Sequence, residues 1–414
     1  MAKNYIHRNT CRLCSSGDLL KVLSLAPTPL ANAFVGPDEL GRAQQFYPLD
    51  VHFCNACAHL QLLDVVDPTV LYEHYVYVSG TSPVFVRHFK DYAGYVIDAF
   101  APPADGLVVD IGSNDGTLLR QFRESGRRVL GVDPAREISE KTRASGIPVV
   151  IDFFNAKLAD HIRAEHGAAS VVTGNNVMAH IDDLQGVMQG VRRLLAADGV
   201  FVFEVSYLGA VVENTLFDTI YHEHLDFHSV KPLVGYFARN GLELIEALQV
   251  DSHGGSLRGV VQLLGGPRRP GASVAAMVAQ EEAVGLDRPD TFRAFATHID
   301  KLRNELLTVL RRLKAEGKRI AGFGAPAKLT TLMYHLSLEP GMIDFVVDDS
   351  PLKQGLFTPG MHIPVVPSQA LYDRRPDYVL VLAWNFAQPI MAKHAAFREG
   401  GGRFIVPLPT VVIH

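Results

Sequence analysis

The segment Tyr221-His-Glu-His-Leu-Asp-Phe-His228 sets a phenol, two carboxylates and three imidazoles close together. Such a set suits acid–base catalysis. It also suits a metal site, or a hydrogen-bonded loop with no chemical role. The zinc-protease spacing His-Glu-x-x-His is absent. A second segment, 107–119, reads Leu-Val-Val-Asp-Ile-Gly-Ser-Asn-Asp-Gly-Thr-Leu-Leu. An apolar strand leads into Asp110, a turn holds Gly112 and Gly116, and a helix follows. Asp133 ends the next strand, 23 residues after Asp110. Glycine lets backbone approach a ligand closely. The acid beyond the second strand accepts hydrogen bonds from ribose hydroxyls. The pattern therefore points to a nucleoside-like cofactor. The turn is not Gly-x-Gly-x-x-Gly, so a pyrophosphate fits it poorly, although a dinucleotide-binding unit is the plain alternative.

Further polar residues gather on the same rim. The third strand runs into Thr173-Gly-Asn-Asn-Val-Met-Ala-His180, which contains Asn175, and the fourth into Phe203-Glu-Val-Ser-Tyr207. In an open α/β sheet, ligands bind beyond the carboxyl ends of the strands. Two imidazoles, a phenol and a carboxylate there could remove a proton from a carbon next to a carbonyl and stabilise the enolate.

The elements that must position these residues follow from periodicity. Strands are expected at 107–111, 129–133, 170–174, 199–205, 242–250 and 257–264, with helices near 116–125, 135–145, 155–166 and 182–197. Alternation of this kind predicts an α/β fold with a doubly wound parallel sheet. The last two strands have no room for a helix between them and should pair antiparallel. A helix is expected over 84–100, and 272–316 reads as helical, with Phe292, Phe295, Ile299, Leu302, Leu306, Leu310 and Leu313 on one stripe. A second α/β unit then begins: the glycine loop Gly322-Phe-Gly-Ala-Pro-Ala-Lys328, a strand over 343–349 ending in Asp348 and Asp349, and strands at 377–383 and 403–406. Loop amides at a helix N-terminus favour phosphate oxygens, and Lys328 could add a cation. A purely structural turn is the alternative.

The four cysteines form two Cys-x-x-Cys pairs, Cys11 with Cys14 and Cys54 with Cys57. Two such knuckles complete a tetrahedron around a structural zinc. Disulfides or redox motifs are the other readings. Prolines and Gly36 punctuate the N-terminal segment, so loops and short strands are expected there. The net charge of −5 offers no basic field for nucleic acid. No apolar run reaches the 18 or so residues needed to span a bilayer. The N-terminus is polar, so a soluble cytoplasmic protein is expected.

Motif 107–119 resembles motif I of the S-adenosylmethionine (SAM) methyltransferases. The two knuckles, motif I, Tyr-His-Glu-His and Gly-x-Gly-Ala-Pro-Ala-Lys, in that order, together resemble the nucleotide-sugar C-methyltransferases of branched deoxysugar biosynthesis. The resemblance implies a zinc-binding domain (1–75), a Rossmann-like SAM domain (76–268) and a helical linker with a Rossmann-like nucleotide-sugar domain (269–414). It implies SAM over Asp110, Gly112, Asn114, Gly116 and Asn175, with Asp133 on the ribose. The substrate would be a TDP-linked 4-keto-6-deoxyhexose lying between the domains, methylated next to the ketone, most often at C-3. His224 is the implied base. Tyr221, His180 or both would stabilise the enolate, Glu223 would orient its neighbours, and Tyr75 or Tyr77 would reach the site. Gly324, Lys328 and Asp349 would meet the nucleotide. Separate domains allow a self-sufficient monomer. Competing readings are a zinc-knuckle methyltransferase acting on protein or RNA, an NAD-dependent oxidoreductase, and a scaffold with a vestigial fold.

Overall fold

Continuous apolar runs bounded by glycine or proline become strands buried on both faces, as parallel sheets require. The computed structural model describes residues 4–72, 79–81, 83–252 and 254–414. Seven strands form the principal sheet: β1 (Leu107–Ile111), β2 (Arg128–Val132), β3 (Val149–Val150), β4 (Ala169–Asn175), β5 (Leu195–Ser206), β6 (Leu242–Val250) and β7 (Ser256–Leu263). Their spatial order is β6-β7-β5-β4-β1-β2-β3. β7 runs antiparallel to β5 and β6, and the remaining pairs are parallel. The two-residue β3 is too short to carry a periodic signal. β1 and β4 are neighbours although β2 and β3 intervene in the chain. Their carboxyl ends therefore flank a topological switch point, where such sheets bind ligands.

Both faces of this sheet are packed. Val109, Leu130, Phe201 and Phe237 belong to one apolar cluster, and Val108, Phe122, Val202 and Tyr92 to another. The helix Pro83–Phe100 buries Phe89, Tyr92, Ala93 and Val96 on one stripe. Tyr92 Oη donates to the Val202 carbonyl at 3.0 Å, so the phenol is satisfied where the ring is buried.

A second sheet contains β8 (Ile320–Phe323), β9 (Val346–Val347), β10 (Val365–Val366), β11 (Tyr378–Val381), β12 (Arg403–Val406) and β13 (Val412–Ile413), in the order β10-β9-β8-β11-β12-β13. Only the β12–β13 pair is antiparallel. The segment 272–316 is two helices, Ala272–Ala283 and Pro289–Ala315. Gly285, at φ +76°, and Pro289, at a helix start, explain the break. The long helix buries the expected stripe of Phe292, Phe295, Ile299, Leu302, Leu306, Leu310 and Leu313.

The chain forms two compact units that interleave in sequence. One comprises Met1–Leu20, Phe53–Ala210 and Leu225–Pro289, the other Lys21–His52, Val211–His224 and Asp290–His414. The expected limits at 75 and 268 therefore do not separate these units. Within the second unit, Val35 exchanges backbone hydrogen bonds with Phe357 at 3.1 and 2.9 Å, and Thr331 Oγ1 donates to the Ile220 carbonyl at 2.9 Å. The N-terminal segment also holds longer strands than expected, Leu19–Thr28 and Tyr47–Cys54. In the latter, Tyr47, Leu49, Val51 and Phe53 alternate inward, and this period of two outweighs Pro48 near the strand start. Among the described residues no helix is long and apolar enough to cross a membrane.

Candidate functional site

After β1 the chain reverses through Gly112 (φ +71°), Asn114 (+49°) and Gly116 (+73°) into the helix Thr117–Glu124. A Cβ on Gly112 would overlap Val177 Cγ2, so conformation and space both favour glycine there. Asp133 receives this turn. Its Oδ2 accepts from the Asn114 amide at 2.8 Å and its Oδ1 from the Ala135 amide at 2.9 Å. Burial raises the Asp133 pKa, and these two amide bonds oppose the rise. Each oxygen keeps a further lone pair for a ligand hydroxyl. Asp110 is buried beneath, accepts from Thr173 Oγ1 at 2.6 Å and is pushed up by burial to about 7.

A cavity of about 450 Å³ opens at the switch point, and its walls include Asp110, Gly112, Asn114, Asp133, Asn175 and His180. Gly116 is not one of its walls. A Cβ there would meet Thr142 Cγ2 at 2.9 Å, so this glycine serves turn packing. The cavity also takes in Asp152, Phe153 and Asp182, which sequence reasoning did not single out. An acid and an aromatic just after the short β3 were the available signal. Ser79 and Gly80 dock on the glycine turn as well: the Ser79 amide donates to Asn114 Oδ1 at 3.0 Å and the Gly80 amide to Asp115 Oδ2 at 3.1 Å. Tyr75 and Tyr77 lie outside the described residues. Glu204, on the expected rim, is engaged by His88 at 2.7 Å and by Arg258 at 2.7 Å, which makes it part of a structural ion network.

The histidine motif is built within the second unit. His224 Nδ1 lies 2.7 Å from the Thr219 carbonyl. A carbonyl only accepts, so Nδ1 carries a proton in this contact. The Tyr221 ring lies against the His224 ring, with centroids 4.2 Å apart and planes at 36°. Glu223 is buried and accepts from Asn32 Nδ2 at 2.9 Å. Burial raises its pKa to about 7 against that hydrogen bond. In the first unit, the Leu225 amide donates to the Ala179 carbonyl at 2.7 Å.

The four cysteines converge in the first unit. Cys11 and Cys57 Sγ are 3.7 Å apart, Cys14 and Cys54 Sγ 3.5 Å, and all four sulfurs lie within 4.8 Å of one another. Sulfurs at tetrahedral corners about 2.3 Å from one zinc would be separated by roughly 3.8 Å. The donor set therefore fits a closed zinc shell. Crowding alone splits the thiols: Cys11 is held down to about 4 by its hydrogen bond with Cys57, and Cys57 is pushed up by the same bond. All four can ionise together only around a cation.

The C-terminal glycine loop departs from expectation in its partners. Gly324 adopts φ +93°. The Ala325 amide donates to Asp348 Oδ2 at 2.6 Å, and Asp348 Oδ1 accepts from the Ser350 amide at 2.8 Å. This repeats the pattern of Asp133 with Asn114 and Ala135. The carboxylate that meets the loop is thus Asp348, whereas Asp349 pairs with Lys393 at 2.6 Å on the surface. Lys328 pairs with buried Asp218 at 3.2 Å and lies over the Trp384 ring, whose Nε1 donates to Asp218 at 2.6 Å.

Comparison with known proteins bears on all three segments. Residues 11–72 match a family model for a zinc binding domain, 85–247 one for a methyltransferase domain, and 251–409 one for a C-methyltransferase C-terminal domain. The C-methyltransferase NovU of Streptomyces niveus is 36% identical over 399 residues, covering 96% of this chain and 95% of that protein. A ubiquinone biosynthesis O-methyltransferase of Pectobacterium atrosepticum is 28% identical over 106 residues, 24% of this chain and 44% of the relative. The solved PH0226 protein of Pyrococcus horikoshii OT3 superposes with a TM-score of 0.37 at 13% identity, over 47% of this chain and 98% of that one.

Proposed function

The chain belongs to the family of SAM-dependent C-methyltransferases, and from that premise we propose that it methylates a ring carbon beside the ketone of a TDP-linked 4-keto-6-deoxyhexose. The observation that carries this reading is the contact of His224 Nδ1 with the Thr219 carbonyl at 2.7 Å. That contact engages Nδ1 and holds the ring in one orientation, which supports assigning Nε2 as the base.

SAM supplies the electrophilic methyl group when bound. Asp133 would hold its ribose, since both carboxylate oxygens are oriented by backbone amides and a fixed carboxylate needs little reorganisation on binding. Gly112 and Asn114 would line its path, and Asp152 with Phe153 would add a polar and an aromatic wall for the base. Asn175, His180 and Asp110 complete that wall. His224 Nε2 takes the proton from the carbon next to the ketone. Tyr221, His180 or both would donate to the enolate oxygen. The second sheet's Asp348, oriented like Asp133, is the acceptor for a sugar hydroxyl of the nucleotide. Gly324 leaves the backbone open to close approach there, while Lys328 would meet phosphate only by sharing its charge with Asp218.

The test is calorimetric titration of TDP, and separately of NADH, into protein saturated with S-adenosylhomocysteine (SAH). Binding of TDP and not NADH is expected. Failure of TDP to bind would remove the sugar nucleotide and direct the search to a macromolecular acceptor.

A further inference from the structure

Arg12 sits between the thiols of the first knuckle, and its side chain is wholly buried. Its Nε donates to Asp182 Oδ1 at 2.9 Å. Nη1 donates to the Leu62 carbonyl at 2.5 Å and to Gln61 Oε1 at 3.3 Å, and the Arg12 amide donates to the same Gln61 oxygen at 3.1 Å. Asp226 Oδ2 lies 3.8 Å from Nε. Both ends of this side chain are thereby fixed. The backbone end belongs to the knuckle turn, where the Ser15 amide closes onto the Cys11 carbonyl at 2.9 Å. The guanidinium end grips a carboxylate that lines the cofactor cavity, two residues beyond His180. Arg8 donates to the same Asp182 oxygen at 2.9 Å. On the far side of Asp182, Asp183 caps the helix Leu184–Leu194 through the Gly186 amide.

We propose that Arg12 is a positioning residue for SAM: the zinc knuckle fixes Arg12, and Arg12 fixes the cavity wall that runs through His180 and Asp182. A closed structural metal site thereby acts on cofactor affinity at a distance, through one buried side chain. A planar fork fixes direction in a way an ammonium does not, so Arg12→Lys keeps the charge near Asp226 and loses the geometry. The inference rests on the placement of SAM in this cavity.

The decisive experiment is calorimetric binding of SAH to wild type, Arg12→Lys, Asp182→Asn and the double variant, with zinc content and melting temperature measured on each. The expected result is at least tenfold weaker SAH binding in Arg12→Lys at one zinc per chain. KM for SAM should rise while kcat stays within about threefold. Asp182→Asn should weaken SAH in the same direction, and the double variant should be no weaker than the worse single one, because residues acting as one unit do not add. A zinc-replete Arg12→Lys that binds SAH within twofold of wild type overturns the proposal, as do losses that simply add. Should Arg12→Lys fail to fold, Asp182→Ala decides: it removes the acceptor of the Arg12 bond and leaves the four cysteines untouched, and unchanged SAH affinity would overturn the proposal. A wild type that does not bind SAH removes the cofactor placement and this inference with it.

Discussion

At the scale of single residues, His224 and Glu223 illustrate how neighbours in sequence receive opposite environments. His224 is half-buried with its Nδ1 proton committed to a carbonyl. Replacing it with asparagine preserves a donor for Thr219 and removes the base, so His224→Asn should lower kcat by roughly 10²- to 10⁴-fold while SAH binds as in wild type. Near-normal turnover in a steady-state assay would sink the assignment. Glu223, in contrast, is buried against Asn32, and its pKa rises from the ordinary 4.5 to about 7. A raised carboxyl pKa means the folded state favours the neutral form. That contribution to stability is complete below pH 4.5 and disappears as pH rises through 7, and the rise corresponds to about 3 kcal/mol. Glu223→Gln is uncharged throughout, so it should gain stability relative to wild type between pH 5 and pH 8. Urea denaturation at both pH values checks this, and an equal pH dependence in the two proteins would count against it.

Elements place these residues, and here the sequence was most legible where one strand meets one turn. Gly112 must be left-handed and has a methyl of Val177 where its Cβ would go. Gly112→Ala should therefore cost about 1–2 kcal/mol for the backbone conformation alone, with a further loss from displacing Val177, and SAH affinity should fall at least tenfold. Adding Val177→Ala should recover part of that affinity, because it removes the clash and not the strain. No recovery in calorimetry would mean the turn itself, not the contact, is what fails. Asp133 and the strand β1 could be read in advance because a parallel strand is a continuous apolar run and its ending acid is local to it. The two-residue β3 could not, since pairing with a neighbour defines it and two residues have no period, and of the strand expected over 343–349 only Val346–Val347 pair as β9. The same limit explains Asp348: in a doublet of aspartates, which one turns toward the glycine loop is decided by β9, which the sequence does not delimit. Glu204 reads as a rim acid by position alone, and only the fold reveals Arg258, 54 residues away, on its carboxylate.

The whole molecule is ordered differently in space than along the chain. Three consecutive domains are the simplest reading of the cysteines, motif I and the glycine loop, since each occupies its own stretch. Yet Lys21–His52 and Val211–His224 are compact with Asp290–His414, because long-range backbone and side-chain bonds, invisible to local patterning, hold them there. Thr330 Oγ1 donates to the Ala31 carbonyl, and the Ala26 amide donates to His335 Nδ1 at 3.3 Å. Asp218 takes both the Trp384 indole and the Lys328 ammonium. A fragment spanning residues 290–414 would retain β8 to β13 but would lose every one of those partners. Without Asp218 the Trp384 indole and the Lys328 ammonium lose their charged partner, and a hydrogen bond to a charged group is worth about 1.5–3 kcal/mol. Summed over several such groups, the loss approaches the 5–15 kcal/mol by which whole domains are stable. The fragment should therefore show no cooperative thermal transition by circular dichroism and poor dispersion in its amide NMR spectrum. A sharp melt near that of the full chain would mean that β8 to β13 hold together without the two inserted segments, and that the three-domain division along the sequence is also the energetic one.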